Sequence, residues 1–188
     1  MNLPLAQKPL TAAAFLEWDA TQTERHMFYR GEVFAMAGGT PAHNRIALNL
    51  ASKLLSHLAG GPCQVFISDV RLELARDEHY TYPDVFVTCD ARDREKGENV
   101  IRFPNLIIEV LSPPTNKYDR GLKFKGYRDI ETVQEVLFID PDDRLIELFT
   151  RSAAPEWTLH PFDATDTVTL DSVKFSFNAA DLFVGVVD

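Results

Sequence analysis

The sequence predicts an α/β (α+β) domain with a central mixed sheet flanked by helices and extra antiparallel strands on its N- and C-terminal sides. Residues 105–111 form a mostly apolar run of strand length in which Glu109 is the one charged residue, a pattern typical of a strand buried on both faces. Residues 41–59 place apolar side chains every third or fourth position, which indicates an amphipathic helix. Alternating runs before and after them predict further strands.

The N-terminal elements carry clear boundary signals. Thr11 is a suitable N-cap for a short helix that follows it. Residues 26–37 are rich in strand formers but are interrupted by an Arg-Gly-Glu turn, which predicts a hairpin. Thr40 and Pro41 begin the long helix as its N-cap and first residue, and the Gly-Gly-Pro sequence at 60–62 ends it.

The middle of the chain predicts a strand pair before the central strand. Residues 64–74 alternate between apolar and polar side chains, as in a half-exposed antiparallel strand. A second strand over 80–89 should pair with it as a hairpin, and a charged loop over 90–99 should follow.

After the central strand, the pattern predicts a basic helix, a second buried strand and antiparallel additions. The helix spans 116–128 and the buried strand 133–139. The additions cover 144–150 and 156–161, and a last helical turn covers 179–183.

Size and composition favour one domain over residues 1–188, with its core at about 40–140. No apolar segment is long enough to span a membrane and the N-terminus does not resemble a signal peptide, so we expect a cytoplasmic protein that does not bind membranes. Cys63 and Cys89 lie on separate predicted strands without zinc-ligand spacing, and we expect them to be core thiols rather than a disulfide.

The net charge of −9 is unevenly distributed along the chain. Before position 131 there are 16 basic and 16 acidic residues, whereas 3 basic and 12 acidic residues follow. This distribution counts against tight unassisted DNA binding, which needs many phosphate-neutralising cations. It leaves room for one local basic strip, formed by Lys117, Arg120, Lys123, Lys125 and Arg128.

Two carboxylates mark the candidate site. Glu109 lies within the central buried run, where an unpaired ionised carboxylate would cost several kcal/mol, so it should be paired, protonated or turned toward a cleft. Asp84 opens the apolar run of a neighbouring strand. Two such carboxylates can converge on a divalent metal. In the structural alternative, Asp84 is a turn residue and Glu109 pairs with an arginine of the following helix.

This order of elements, with an acid on each of two strands, resembles the PD-(D/E)XK restriction-endonuclease-like superfamily. Three segments, 82–85 (YPDV), 109–113 (EVLSP) and 119–123 (DRGLK) with Tyr127, are similar to the Uma-two family of restriction-endonuclease-like proteins. The similarity extends over about residues 11–151 and leaves the last forty residues uncovered.

The resemblance implies a metal-dependent endonuclease that hydrolyses DNA phosphodiester bonds, with Asp84 and Glu109 as ligands of Mg²⁺ or Mn²⁺. Oxygen ligands suit these ions better than zinc. The superfamily usually has a catalytic lysine two residues after the glutamate, where this chain has Leu111. Members of the resembled family supply the lysine from the following helix, and this chain offers Lys117, Lys123 and Lys125 there.

Helix geometry selects Lys123 among these lysines. At about 100° per residue, Lys123 shares a helix face with Asp119, Tyr127 and Ile130, and Lys125 lies on the opposite face. The aromatic and aliphatic members should turn that face toward the sheet, so we expect Lys123 to approach Glu109 and assist the attacking water. The alternative is an ordinary Asp119–Lys123 ion pair.

Further residues are predicted at the edge of the site. Lys117 and Arg120 could bind the phosphate backbone of the substrate. The alternative is a solvated helix face, to which at least Lys125 and Arg128 should belong. Glu32, His43 and Asp69 form a second tier, and each of these residue types is more often structural than catalytic.

Two predictions concern partners and function class. We expect a homodimer, as many enzymes that cut both DNA strands need two sites, with a two-fold surface that includes Val173, Phe175 and Phe177. A non-catalytic binding or regulatory protein on the same scaffold is the alternative to an endonuclease, because Leu111 replaces the usual lysine and the C-terminal region is acidic.

Overall fold

The computed structural model describes residues 9–36, 38–94, 99–113, 116–153 and 156–186. Its α-helices are α1 (Ala12–Asp19), α2 (Pro41–Leu58), α3 (Asn116–Tyr118) and α4 (Phe124–Asp129). The first eight strands are β1 (His26–Tyr29), β2 (Glu32–Ala35), β3 (Gln64–Ile67), β4 (Arg71–Ala75), β5 (His79–Thr81), β6 (Val85–Thr88), β7 (Val100–Ile101) and β8 (Leu106–Val110). The remaining strands are β9 (Glu135–Asp140), β10 (Leu145–Arg151), β11 (Trp157–Phe162), β12 (Thr167–Leu170) and β13 (Phe175–Asn178).

The central sheet has six strands in the order β11-β10-β9-β8-β6-β3. Strand β8 runs parallel to β9 and antiparallel to β6, which makes the sheet mixed, as predicted. All five residues of β8 are buried, because α2 covers one face of this sheet and α4 the other. Strands β10 and β11 extend it as an antiparallel addition, also as predicted.

A second sheet has the order β2-β1-β5-β4-β7. Strands β1 and β2 form the expected hairpin, and Arg30 and Gly31 in its turn have φ of 47° and 92°. Two consecutive residues with positive φ fit the twist of a tight hairpin. Helix α1 begins where predicted, since Thr11 Oγ1 accepts a hydrogen bond from Ala14 N at 3.2 Å.

The predicted hairpin of residues 64–74 and 80–89 divides between the two sheets. Its inner half, β3 with β6, belongs to the central sheet, and its outer half, β4 with β5, to the second. The second predicted strand is interrupted at Pro83, which has no N–H to donate to a strand ladder. The prediction of two continuous strands was therefore wrong, and Asp84 lies at the crossover between the sheets rather than within a strand.

The basic helix contains a π-helical turn, Asp119–Lys123, between α3 and α4. Its side-chain directions agree with the sequence analysis. Asp119, Lys123, Tyr127 and Ile130 are buried, whereas Lys125 is exposed.

The two cysteines form a disulfide bond, which contradicts the prediction of core thiols. Cys63 immediately precedes β3 and Cys89 immediately follows β6. Because Gln64 pairs with Thr88, the two cysteines lie opposite each other, 4.0 Å apart at Cα. Spacing along the chain could not reveal this contact, which depends on the strand register. Disulfides are uncommon in a reducing cytoplasm, so the cytoplasmic location stays a prediction.

The C-terminal hairpin, β12 with β13, completes the core against α2. Val173 and Phe177 are buried in this core, so they do not form the predicted two-fold surface. The homodimer stays a prediction. Within the residues described above, no helix is both long and apolar enough to cross a bilayer.

Candidate active site

A cleft of about 650 Å³ lies between the two sheets. Its lining comes from the β1–β2 hairpin, the first turn of α2, the crossover after β5, the end of β8 and the π-helical turn. The titratable side chains that line it include Asp84, Glu109, Asp119, Lys123, His43 and Tyr118. The cleft between the two sheets thus brings together residues that are distant in the sequence.

Asp84 is oriented by two contacts, a hydrogen bond and an ion pair, with one of its two oxygens. Asp84 Oδ2 accepts from Val110 N at 2.8 Å and lies 3.1 Å from His43 Nε2. Burial alone would raise the pKa of this carboxyl, but hydrogen bonding to His43 and the nearby charges of His43 and Lys123 hold the pKa below its ordinary value. Asp84 is therefore ionised at neutral pH.

Glu109 is almost completely enclosed, with 1% of its surface exposed. Its Oε1 accepts hydrogen bonds from Lys123 Nζ, at 2.9 Å, and from the Tyr127 hydroxyl. Burial raises the pKa of Glu109 to about 8, against the opposing effect of the Lys123 charge. The carboxylates of Asp84 and Asp119 add to the increase, so without a bound cation Glu109 tends to hold a proton.

Lys123 connects two carboxylates at the floor of the cleft. Its Nζ lies 2.9 Å from Glu109 Oε1 and 3.1 Å from Asp119 Oδ1. Burial by itself would lower the pKa of this ammonium, but the charges of Glu109 and Asp119 raise it above its ordinary value. Lys123 stays cationic, and an ammonium group has three N–H donors, one more than the two carboxylates it contacts.

Three residues near Lys123 were not predicted as site residues. Asp119 was predicted to share a helix face with Lys123 but was given no role in the site, and its i, i+4 spacing from Lys123 was the available signal. The Tyr118 hydroxyl lies 3.1 Å from His79 Nε2. Burial, with the positive charges of Lys123 and Arg30, lowers the pKa of His79 to about 4, so this imidazole is neutral. No sequence signal connected His79 to the site.

The three second-tier residues lie at different distances from the cleft. His43 lies in the cleft beside Asp84. Asp69 is at the mouth, where it pairs with Arg25 at 2.5 Å and remains largely exposed. Glu32 is exposed on β2 and is not among the cleft-lining residues.

The two predicted substrate-binding residues lie outside the cleft lining. Lys117 is exposed. Arg120 donates to Asn116 Oδ1 at 2.8 Å and forms an ion pair with Glu147. Contact of Lys117 and Arg120 with a phosphate backbone stays a prediction.

The donor set of the cleft fits a hard cation that keeps several waters. No group of three or more His, Cys, Asp or Glu side chains is arranged as a metal site in the portion of the chain that the structure covers. Asp84 and Glu109 each have one oxygen that accepts no hydrogen bond from the described residues, namely Oδ1 and Oε2. Mg²⁺ is commonly bound by one or two carboxylates together with water and substrate phosphate.

Comparison with known proteins agrees with this geometry. The family model Uma2, described as "Putative restriction endonuclease", matches residues 12–180. The chain belongs to the Uma2 family. The match extends well beyond residue 151, so the C-terminal strands, which the sequence analysis had left uncovered, are part of the family domain.

Two uncharacterized proteins of Synechocystis sp. are similar to this Uma2 protein. The protein slr1290 is 35% identical over 177 residues, which cover 94% of this chain and 93% of the relative. The protein sll1609 is 35% identical over 160 residues, which cover 85% and 90%.

A crystal structure from Anabaena variabilis, described as a "putative nuclease belonging to DUF820", has the same fold. Its TM-score is 0.77 at 20% identity, and the match covers 95% of this chain and all of that chain. The predicted restriction-endonuclease-like fold is thereby confirmed. Family and fold together are those of nuclease-like proteins.

Proposed function

We propose that this Uma2 protein is a metal-dependent endonuclease that hydrolyses DNA phosphodiester bonds. Asp84 and Glu109 hold Mg²⁺ or Mn²⁺, and Lys123 assists the attacking water. The observation that carries this proposal is the convergence of these three side chains in one cleft, with Lys123 Nζ 2.9 Å from Glu109 Oε1.

The three side chains supply what phosphodiester hydrolysis needs. A divalent cation held by the two carboxylates polarises the phosphate and lowers the pKa of a water molecule. Lys123 favours the ionised form of Glu109, which is the form that can bind a cation. The remaining N–H of Lys123 can orient the attacking water or donate to a phosphate oxygen as negative charge develops there.

The position of Leu111 supports Lys123 as the lysine of the site. Leu111, which occupies the usual lysine position, is buried in the core with Tyr127 and Phe138. A lysine there would have to leave that core to reach the cleft. The helical segment instead carries Lys123 to Glu109, while Lys125 points to solvent.

Charge in the cleft explains why a cation should precede the substrate. Lys123 Nζ contacts the carboxylates of Glu109 and Asp119, and the carboxylate of Asp84 lines the same cleft. Burial holds a proton on Glu109 in the absence of a cation, and a protonated carboxyl is a poor metal ligand, so a cation must displace that proton before the site is complete. We therefore expect cleavage to depend strictly on added metal.

The experiment compares wild type with Asp84→Asn on single-stranded DNA, duplex DNA and RNA, each with Mg²⁺, Mn²⁺ or EDTA. Wild type should cleave DNA only with metal, and Asp84→Asn should be at least about 100-fold slower, as expected when a ligand of the reacting centre is lost. Equal cleavage by both proteins would indicate a contaminating nuclease. Metal-dependent DNA binding by wild type without cleavage would contradict the proposed endonuclease activity and favour a binding protein on the same scaffold.

A further inference from the structure

We propose that His43, seated against Gly39, is a positioning residue that orients Asp84 and thereby sets the affinity of the cleft for a divalent cation. This inference rests on the proposed function, because it assigns Asp84 to the metal. It assigns His43 a role that acts through Asp84.

The start of α2 fixes where the His43 side chain begins. Thr40 is the N-cap, and its Oγ1 accepts a hydrogen bond from His43 N at 3.1 Å. Pro41 occupies the first helical position, where its missing N–H is not needed. His43 is thus the third residue of the helix, and its ring extends into the cleft.

Gly39 provides the space that the imidazole ring occupies. A Cβ atom at position 39 would lie 2.7 Å from His43 Nδ1 and 3.2 Å from its Cγ. Such distances are too short for a carbon, so any larger residue would displace the ring. At the neighbouring Gly38, a Cβ would meet nothing within 4 Å. A side chain at position 39 would therefore clash with His43, whereas a methyl group at position 38 has room.

On its other side, the ring contacts the candidate metal ligand. His43 Nε2 lies 3.1 Å from Asp84 Oδ2, within ion-pair distance, and a carboxylate can only accept, so this contact is favourable when Nε2 carries a hydrogen. The same oxygen accepts from Val110 N at 2.8 Å. These two contacts, from α2 and from β8, restrict the rotation of the carboxylate and leave Oδ1 for a ligand. Both His43 and Asp84 have side chains that are only 16% exposed, so water competes little for this contact.

A purely structural role for His43 makes a different prediction. If the histidine only joins α2 to the crossover, its loss should lower the melting temperature without changing how the folded protein binds a cation. A positioning role predicts that cation affinity falls even where the melting temperature of the metal-free protein is kept.

The test is a Mn²⁺ titration of purified wild type and variants, followed by thermal unfolding and by calorimetry. Stabilisation by a ligand that binds only the folded state gives the half-saturating concentration. His43→Ala should raise that concentration about 10- to 100-fold, the usual effect of losing a partner of a ligating side chain. His43→Gln, whose amide N–H can still donate to Asp84, should remain within a few-fold of wild type.

The glycine pair supplies a matched control that leaves His43 itself unchanged. Gly39→Ala should weaken Mn²⁺ binding in the same direction as His43→Ala, whereas Gly38→Ala should not. If His43→Ala fails to fold, the comparison of Gly39→Ala with Gly38→Ala still tests whether the position of the His43 ring sets Mn²⁺ affinity.

Two results would overturn the proposal in distinguishable ways. If Asp84→Asn lost Mn²⁺ binding while His43→Ala and Gly39→Ala bound it like wild type, His43 would not position Asp84, and the proposed function would stand. If wild type did not bind Mn²⁺ at all, the proposed function and this inference would both be wrong.

Discussion

At the residue scale, Glu109 lies in an environment that opposes its charge. It is buried near the end of the central strand β8, close to two other carboxylates, and among the described residues Lys123 is the one cation in contact with Oε1. A protein selected only for stability would place an apolar residue there, since buried ion pairs are often replaced without loss. The free-energy cost of burying the Glu109 charge is consistent with a functional carboxylate.

This cost should depend on pH in the metal-free protein. The pKa of Glu109 is about 8 in the folded state and near 4.5 in a free side chain, so folding favours the protonated form. Stability associated with Glu109 is therefore present below pH 4.5 and is lost as the pH rises toward 8. Glu109→Gln does not titrate, so in EDTA it should melt at least about 3 °C above wild type at pH 8.5 and close to wild type at pH 5.

The exposed Glu17 offers a control for this comparison. Glu17→Gln should melt like wild type at both pH values, since the side chain is exposed and its replacement changes no buried contact. Thermal unfolding followed by circular dichroism measures both variants. A difference between Glu109→Gln and wild type that stayed constant from pH 5 to pH 8.5 would show that Glu109 is not held protonated by its surroundings.

Single residues also show which parts of the site a sequence can reveal. Glu109 was found because it interrupts an apolar run, and Lys123 because helix geometry placed it on the buried face. His79 was missed, because its contact with Tyr118 joins two elements that no local pattern connects. The Cys63–Cys89 bond was missed for the same reason, since only the pairing of β3 with β6 brings the two cysteines together.

At the element scale, the helical segment from α3 to α4 delivers Lys123 to the cleft. Its π-helical turn closes with a hydrogen bond from Phe124 N to Asp119 O. Such turns often occur at functional sites. The prediction assumed regular helix geometry throughout and could not detect the turn, but Lys123 and Tyr127 are both buried as expected because the apolar face of the segment still packs on the sheet.

Gly126 lets this segment approach β4. A Cβ at position 126 would lie 2.8 Å from Leu74 Cδ1 and 3.2 Å from Leu74 Cβ. Gly126→Ala should therefore destabilise the protein by about 1 to 3 kcal/mol through overpacking. Gly121, in the same segment, would meet nothing within 4 Å, so Gly121→Ala should be neutral or stabilising by up to about 1 kcal/mol.

Urea unfolding monitored by tryptophan fluorescence distinguishes these two glycines. Gly126→Ala should lower the unfolding midpoint, and Gly121→Ala should leave it unchanged or raise it. Equal midpoints for the two variants would mean that the segment does not pack against Leu74 as closely as the structure indicates.

At the scale of the whole molecule, the site exists because the chain crosses between two sheets. The sequence predicted most strands correctly but could not assign them to sheets, since 64–74 and 80–89 each read as one continuous element. The break at Pro83 places Asp84 outside both ladders and beside Glu109's strand, with Asp84 Oδ2 bound to Val110 N. The cleft is thus a product of topology, and its acidity makes a cation its natural first ligand.

The most direct test of this account compares Lys123→Ala with Lys125→Ala in a single-turnover DNA cleavage assay with Mn²⁺. The two lysines are two residues apart, but Lys123 contacts Glu109 and Lys125 is exposed. Lys123→Ala should reduce the cleavage rate at least about 100-fold, in keeping with the loss of a group that stabilises developing charge, while Lys125→Ala stays within a few-fold of wild type. If both variants cleaved alike, or Lys125→Ala alone were inactive, the assignment of Lys123 to the site would be contradicted.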